Sequence, residues 1–205
     1  MARIENSTLG EVSGKVGDII VSSWKGIQYI KSRPTDFHDA KTPAQLAHRL
    51  KLQMAHRFVK STKEYIEIGF RQIAEHQSPY NKAVSYIMKN AIAGEYPKLY
   101  IEPNKVTLSL GDLTSAKECT ISKEEDTKIA FSWETNHIGA NDTALLIAYN
   151  FSKNQAKTSQ SYRKEKYGII ELPGNWKGDK IGCYIFFASN TDNKVSNSLF
   201  LGMIP

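Results

Sequence analysis

The stretch around which the chain is organised is GEVSGKVGDIIVSSWKGIQYIKSRP, residues 10–34. Residues 18–24 and 27–33 have strand-like patterns, and Lys25 and Gly26 between them predict a tight turn, because glycine adopts the positive φ that such hairpin turns require. Alternation places apolar side chains on both faces of this hairpin. An isolated hairpin is only marginally stable in water. We therefore expect it to be covered by the chain's own helices or by another molecule.

A helical region is predicted after the hairpin. Thr42 and Pro43 form a helix start signal, and residues 61–64 repeat a capping-box pattern that either begins a second helix or lies within one long helix. A further helix is predicted to begin after Ser78 and to end near Gly94, since glycine suits the position just beyond a helix. The apolar stripe of the first helix consists of Ala47, Leu50, Met54 and Phe58.

Beyond residue 105 the apolar pattern alternates with the period of a strand. Short alternating segments separated by turn-rich breaks are typical of an antiparallel β-sandwich. The predicted strands are residues 105–110, 128–133, 143–151, 157–163, 167–172, 180–188 and 195–201.

Several of these segments resemble a fibronectin type III domain. The sequence KIAFSW at 128–133 is similar to the second strand of that fold with its inward tryptophan, and residues 143–149 resemble the strand that follows. Residues 172–174, 181–187 and 196–198 resemble its late corner and last two strands. The resemblance implies a sandwich over the final part of the chain.

An immunoglobulin-like interpretation competes, because Cys119, Trp133 and Cys183 fall near the Cys–Trp–Cys spacing of that fold. Ile181, however, occupies the position two residues before the second cysteine where a tyrosine corner would place tyrosine, so the fibronectin-like interpretation is favoured. A disulfide would require the two sulfurs to meet in an oxidising compartment. We predict two buried free thiols.

The predicted fold class is therefore α+β. An N-terminal β-hairpin plus two or three helices would be followed by an antiparallel fibronectin type III- or immunoglobulin-like β-sandwich. The predicted domains are a hairpin and helical assembly region at 1–97 and the sandwich at 98–205.

Over nearly its full length the chain resembles an uncharacterised family of bacterial proteins of similar size, known mainly from Bacteroidota. That resemblance implies no established activity. The segments that carry it are GKVG at 14–17, WKG at 24–26, RP at 33–34, TPAQ at 42–45 with Arg49, and SNS at 196–198.

Motifs for catalysis or cofactor binding are not evident in the sequence. Three residues rather than four separate Gly10 from Gly14, and Val16 rather than Ser or Thr follows Lys15, so the glycine-rich segment does not match a phosphate-binding loop. The five histidines and two cysteines have no recognised metal-ligand spacing. We expect a protein that is not an enzyme and holds no cofactor or metal.

Eight residues are predicted to make contacts with partners. Four of them lie within about 60° of one another on a helical projection, opposite the apolar stripe, and form a basic face. Trp176 lies in a Pro-Gly-Asn-Trp-Lys-Gly loop, where an exposed tryptophan would indicate recognition. The candidates are Trp24, Tyr29 and Arg33 of the hairpin, Arg49, His56, Lys60 and Lys63 of the basic helical face, and Trp176.

These observations favour a non-enzymatic structural or interaction protein that forms a homo-oligomer, or docks into a larger complex, through its N-terminal hairpin. The alternative is a nucleic-acid-associated protein that uses the basic helical face, since the net charge of +6 lies wholly within residues 1–100. A glycan-binding module or an unrecognised enzyme is a third hypothesis. Because no apolar run could span a bilayer and no signal peptide is evident, we expect a cytoplasmic protein, with delivery into a particle or secretion apparatus left open.

Overall fold

The chain forms two compact units, Met1–Thr42 and Pro43–Pro205. A computed structural model provides the structure. For residues 2–4 it describes the backbone alone. The described part of the chain comprises residues 2–4, 13–33, 39–74, 76–125, 127–135 and 141–205. Residues 10–12, which begin the stretch quoted first, and Pro34, which contributes to the family resemblance, lie outside it.

The first unit contains an antiparallel sheet whose strand order is β1-β4-β3-β2. The predicted hairpin is confirmed as β3 and β4, and its turn residues Lys25 and Gly26 have φ values of 49° and 76°, both in the left-handed region that a type I′ turn requires. The outer strands are short. The four strands are β1 (Ala2–Ile4), β2 (Gly14–Val16), β3 (Ile19–Trp24) and β4 (Ile27–Ser32).

The second unit begins with three helices, α1 (Pro43–Ser61), α2 (Lys63–Gly69) and α3 (Pro79–Asn90). The predicted start at Pro43 is confirmed. Of the two alternatives for residues 61–64, a new helix is correct, although the Thr62 hydroxyl donates back to the Phe58 carbonyl at 3.3 Å and does not cap α2. The Ser78 hydroxyl accepts a hydrogen bond from the Asn81 N–H at 3.2 Å and caps α3 as predicted.

Gly94 does not terminate the last helix, and that prediction is wrong. The helix ends at Asn90, and Gly94 lies in a β-hairpin formed by β5 (Ile92–Glu95) and β6 (Lys98–Ile101). Its φ is +89°, and a Cβ placed on it would lie 2.3 Å from the Lys98 carbonyl oxygen. The glycine is therefore required by close approach of the paired strand.

Two antiparallel sheets follow the helices. The three-stranded sheet has the order β11-β8-β7, and the four-stranded sheet has the order β10-β9-β12-β13. The strands are β7 (Lys117–Glu125), β8 (Lys128–Glu134), β9 (Thr143–Asn150), β10 (Gln155–Tyr162), β11 (Tyr167–Glu171), β12 (Ile181–Ala188) and β13 (Leu199–Ile204).

This arrangement confirms the α+β class and the antiparallel sandwich. In a constant-type immunoglobulin domain the fourth strand joins the sheet of the first, second and fifth strands. Here β10, the fourth strand of the sandwich, pairs with β9 in the other sheet. The likeness to fibronectin type III stays a prediction. Both cysteines are free thiols, as predicted, but only Cys183 is buried, so the predicted burial of Cys119 is wrong. Burial raises the pKa of half-buried Cys119 to about 11 and that of Cys183 to about 12.

Two predicted strands differ from the structure. Residues 105–110 were expected to form a strand because apolar residues alternate there, but the segment has no ladder partner; the Leu108 N–H instead donates to the Ser198 hydroxyl at 2.9 Å. The final strand runs over Leu199–Ile204 instead of 195–201. Strand β7 was not predicted, because its sequence KECTISKEE is mostly polar.

The four-stranded sheet is covered on both faces. Toward β8 it packs on Phe131 and Trp133, and toward the helices it packs on Phe58, Ile66 and Ile87, all buried. This two-sided burial explains why every residue of β12 and nearly every residue of β9 is buried. The helices and the sandwich thus share a hydrophobic core within one compact unit. The domain boundary predicted between residues 97 and 98 stays a prediction.

Candidate functional site

Two of the eight predicted interaction residues, Trp24 and Tyr29, lie in the N-terminal sheet, and a third, Arg33, directly follows it. The pairing of the strands assigns each side chain of the sheet to one of its two faces. Val21 lies opposite Ile30, and Trp24 lies opposite Ile27. Directly opposed residues of an antiparallel pair share a face. The aliphatic face, as we define it, carries Val16, Ile19, Val21 and Ile30 together with the uncharged Gly14, Ser23, Gln28 and Ser32; the basic face carries Lys15, Ile20, Ser22, Trp24, Ile27, Tyr29 and Lys31.

None of residues 13–33 is buried. Val16 is 74% exposed and Ile19 48% exposed on the aliphatic face, while Trp24 is 46% exposed and Ile27 37% exposed on the basic face. Single exposed apolar residues are ordinary on protein surfaces, whereas contiguous apolar groups on a sheet mark interaction sites. Both faces of this sheet are therefore candidate interaction surfaces.

Charge distinguishes the two faces. Among the paired residues of β2, β3 and β4, no charged side chain lies on the aliphatic face, whereas Lys15 and Lys31 lie on the basic face. The Lys25 Nζ is 5.2 Å from the centroid of the Trp24 ring, a cation–π contact. Asp18 is the single acidic residue in this stretch of sequence, so the sheet is locally basic.

Arg33, the third predicted residue of the hairpin, follows the end of β4 and is exposed. Its backbone N–H donates to the Asp18 carbonyl oxygen at 2.7 Å, which joins the two ends of the β3–β4 hairpin. Trp24 and Tyr29 therefore share the basic face, while Arg33 lies beyond the paired strands.

The predicted basic helical face is divided in the structure. Lys63 belongs to α2 and not to α1, because the helix breaks at Thr62, and its Nζ lies 3.6 Å from a Glu67 carboxylate oxygen. The projection of all four residues onto one continuous helix is therefore wrong. Arg49 and Lys60 are exposed on α1.

His56 contributes to packing between helices. Its Nδ1 lies 3.1 Å from the Tyr80 hydroxyl, and the two ring centroids are 5.6 Å apart. Tyr80 belongs to α3, so this contact joins α1 to α3. Arg49 and Lys60 are therefore the exposed members of the predicted face on α1. Binding of nucleic acid by that face stays a prediction.

Trp176 is only 2% exposed and belongs to the hydrophobic cluster between the two sheets of the sandwich. It ends a short 3₁₀ segment, Gly174–Trp176, that turns the ring inward. A buried ring cannot stack on a ligand, so the interpretation of Trp176 as a surface recognition residue is wrong in this structure.

Val16, Ile19, Val21 and Ile30 of the aliphatic face are not among the predicted interaction residues. Alternation along β3 and β4 is visible in the sequence, but β2 and its register are needed to place Val16 beside Ile19. Among the described residues, no group of three or more His, Cys, Asp or Glu side chains could hold a metal ion. No helix in the described part of the chain has the length and apolar character to cross a membrane.

Comparison with known families places the whole arrangement in context. Residues 11–202 match the model of a family of unknown function, DUF6266. The chain belongs to this family. A search of curated proteins finds no match. Because the DUF6266 match extends across both compact units, the predicted membership of an uncharacterised family is confirmed, while the predicted bacterial origin stays a prediction.

Proposed function

We propose that this protein is a non-enzymatic structural or interaction protein that associates with a second copy of itself through its N-terminal sheet. One observation supports the proposal above the others: none of residues 13–33 is buried, although apolar side chains lie on both faces of the sheet. A small sheet needs a packed apolar face for stability. A second copy would supply that packing.

The aliphatic face suits a symmetric contact. In a twofold dimer the same patch is present on both partners, so any charge in the patch would oppose itself. The paired residues of β2, β3 and β4 on this face include Val16, Ile19, Val21 and Ile30 and no charged side chain. Two such faces could pack about 10 Å apart as the layers of a sandwich do.

The energy gained by burying these side chains can be compared with the cost of association. Complete burial of a valine or isoleucine side chain contributes about 1.5–3 kcal/mol. Two copies would together bury eight such groups, but each is now only exposed or half-buried and therefore gains only part of that energy. The total is comparable with an association cost of about 4–15 kcal/mol. Docking of the same face onto a larger complex is the alternative, and it would leave the isolated chain monomeric in solution.

The test is the solution mass of the full chain by light scattering, with two matched variants. Ile19→Lys introduces a charge on the aliphatic face, whereas Ile27→Lys makes the same change at a residue of comparable exposure on the basic face. We expect the parent to have about twice the 23.1 kDa mass of one chain, Ile19→Lys to be a monomer, and Ile27→Lys to keep the parent's mass.

A monomeric parent at high concentration would contradict self-association and leave docking onto another component. If Ile19→Lys and Ile27→Lys dissociate the oligomer to the same extent, the contact between copies is not made by the aliphatic face. Circular dichroism of both variants controls for loss of the sheet.

A further inference from the structure

The basic face of the N-terminal sheet combines aromatic rings with cations in a regular array. Ser22 lies opposite Tyr29, and Trp24 is two residues further along β3 toward the turn. With about 7 Å between alternate residues of a strand and about 4.8 Å between strands, the Trp24 and Tyr29 backbones lie about 8 Å apart on one face. Trp24 is 46% exposed and Tyr29 is half-buried.

Two lysines lie at the other end of this face. Ile20 is flanked by Lys15 on β2 and by Lys31 on β4, so the two lysines lie about 10 Å apart on either side of it. At the aromatic end, the Lys25 Nζ lies 5.2 Å from the centroid of the Trp24 ring. The face therefore offers an aromatic surface with cations at both of its ends.

We propose that this basic face binds single-stranded nucleic acid, with bases stacking on Trp24 and Tyr29 and phosphates held by Lys15 and Lys31. A single strand presents flat bases alternating with negative charges, and binding surfaces for it combine aromatic side chains with basic groups. Exposed aromatics on a four-stranded sheet are an established way to stack unpaired bases. An acidic peptide would use the lysines without using the exposed tryptophan.

This binding does not depend on self-association, because the aliphatic face lies on the opposite side of the sheet. It also differs from the predicted basic helical face, whose cations lie on α1 and α2. If two copies pack through their aliphatic faces, both basic faces remain on the outside. The two proposals can therefore fail separately.

The probe is a fluorescein-labelled oligothymidylate, with anisotropy of the full-length chain measured over a series of salt concentrations. We expect binding that weakens as salt rises. Binding of the parent should show a negative slope of log affinity against log salt. Lys15→Gln combined with Lys31→Gln should reduce the magnitude of that slope by about 1.4, since each phosphate contact on a single strand contributes about 0.7. Trp24→Ala should weaken binding roughly tenfold, and Trp24→Phe should retain most of the affinity because it keeps a ring.

Tryptophan fluorescence supplies a second readout. The chain has three tryptophans, of which Trp133 and Trp176 are each 2% exposed, so a stacked base can reach Trp24 alone. We expect an unlabelled oligothymidylate to quench the fluorescence of the parent and to leave that of Trp24→Phe unchanged.

The matched control is Arg49→Gln combined with Lys60→Gln, which removes two exposed cations from α1 and leaves the sheet unchanged. Unchanged affinity for oligothymidylate in this control supports binding by the N-terminal sheet. A loss of affinity equal to that of the Lys15 and Lys31 variant overturns the assignment of the site to the sheet. The proposal is also overturned if oligothymidylate does not bind, or if Trp24→Phe loses affinity as fully as Trp24→Ala while thermal melting shows an intact fold. Binding of polyglutamate or anionic lipid vesicles without binding of oligothymidylate overturns it as well.

Discussion

The ring centroid of Phe58 in α1 lies 4.2 Å from that of Tyr149 in β9, and both side chains are fully buried. The two residues are 91 positions apart in the sequence and belong to the predicted domains 1–97 and 98–205, respectively. Their contact is part of the cluster in which the helices cover the outer face of the four-stranded sheet.

Removal of the Phe58 ring should destabilise the second unit strongly. Phe58→Ala would leave a cavity between α1 and β9, and we expect a loss of about 3–5 kcal/mol in the free energy of unfolding. Leu52→Ala, on the same helix at a residue that is 37% exposed, should cost about 1 kcal/mol or less. Urea denaturation of the full chain measures both. Equal losses would show that the helix face at Phe58 is not the buried one.

Truncation should distinguish the compact units from the predicted domains. A fragment of residues 43–205 keeps the shared core, so we expect cooperative thermal unfolding. A fragment of residues 98–205 would expose Ile147, Tyr149 and Phe186 to water, and we expect it to aggregate or to lose fixed tertiary structure. Near-ultraviolet circular dichroism and light scattering report both outcomes. A stable, monomeric 98–205 fragment would support the predicted boundary instead.

Gly94 should be intolerant of a side chain. Its φ is +89°, and a Cβ at this position would lie 2.3 Å from the Lys98 carbonyl oxygen, so Gly94→Ala should cost about 1–3 kcal/mol. Gly174→Ala is the control, because nothing lies within 4 Å of its Cβ position. We expect that variant to leave the melting temperature nearly unchanged. A neutral Gly94→Ala would contradict the tight β5–β6 pairing.

Asp179 should contribute to stability in a way that depends on pH. The Lys153 ammonium donates to its carboxylate at 2.6 Å and the Asn150 amide donates at 2.7 Å, and these contacts lower the pKa of Asp179 below its ordinary value. A carboxylate whose pKa is lower in the folded state stabilises the protein above its unfolded pKa of about 3.9, and the contribution is lost as pH falls through the folded value.

Asp179→Asn should therefore be less stable than the parent at neutral pH, and the difference should shrink as the solution is acidified below about pH 4. Chemical denaturation at several pH values measures it. A difference that is constant across this range would mean that the charge of Asp179 does not contribute.

Local chemistry explains which elements could be predicted. The Lys25-Gly26 turn, the start of α1 at Pro43 and the capped start of α3 depend on residues adjacent in sequence, so their signals are contained in short segments. Whether β7 and the segment at 105–110 form strands depends on whether a partner strand is available to each. The charged sequence of β7 pairs with β8, while the alternating apolar residues at 105–110 meet no strand.

The same distinction applies to the candidate interaction residues. Alternation within each strand places the Trp24 and Val21 side chains on different faces of β3, and the Tyr29 and Ile30 side chains on different faces of β4, because successive side chains of a strand point to opposite sides. The register between the strands is what places Trp24 and Tyr29 on the same face. Burial is a property of what packs against a residue, and no local pattern contains it. Only the tertiary structure decided that the ring of Trp176 lies inside the sandwich, because its burial depends on strands distant in the sequence. The register of β2, β3 and β4 likewise decided that Lys15 and Lys31 share one face of the N-terminal sheet, because alternation within one strand does not relate it to its neighbours.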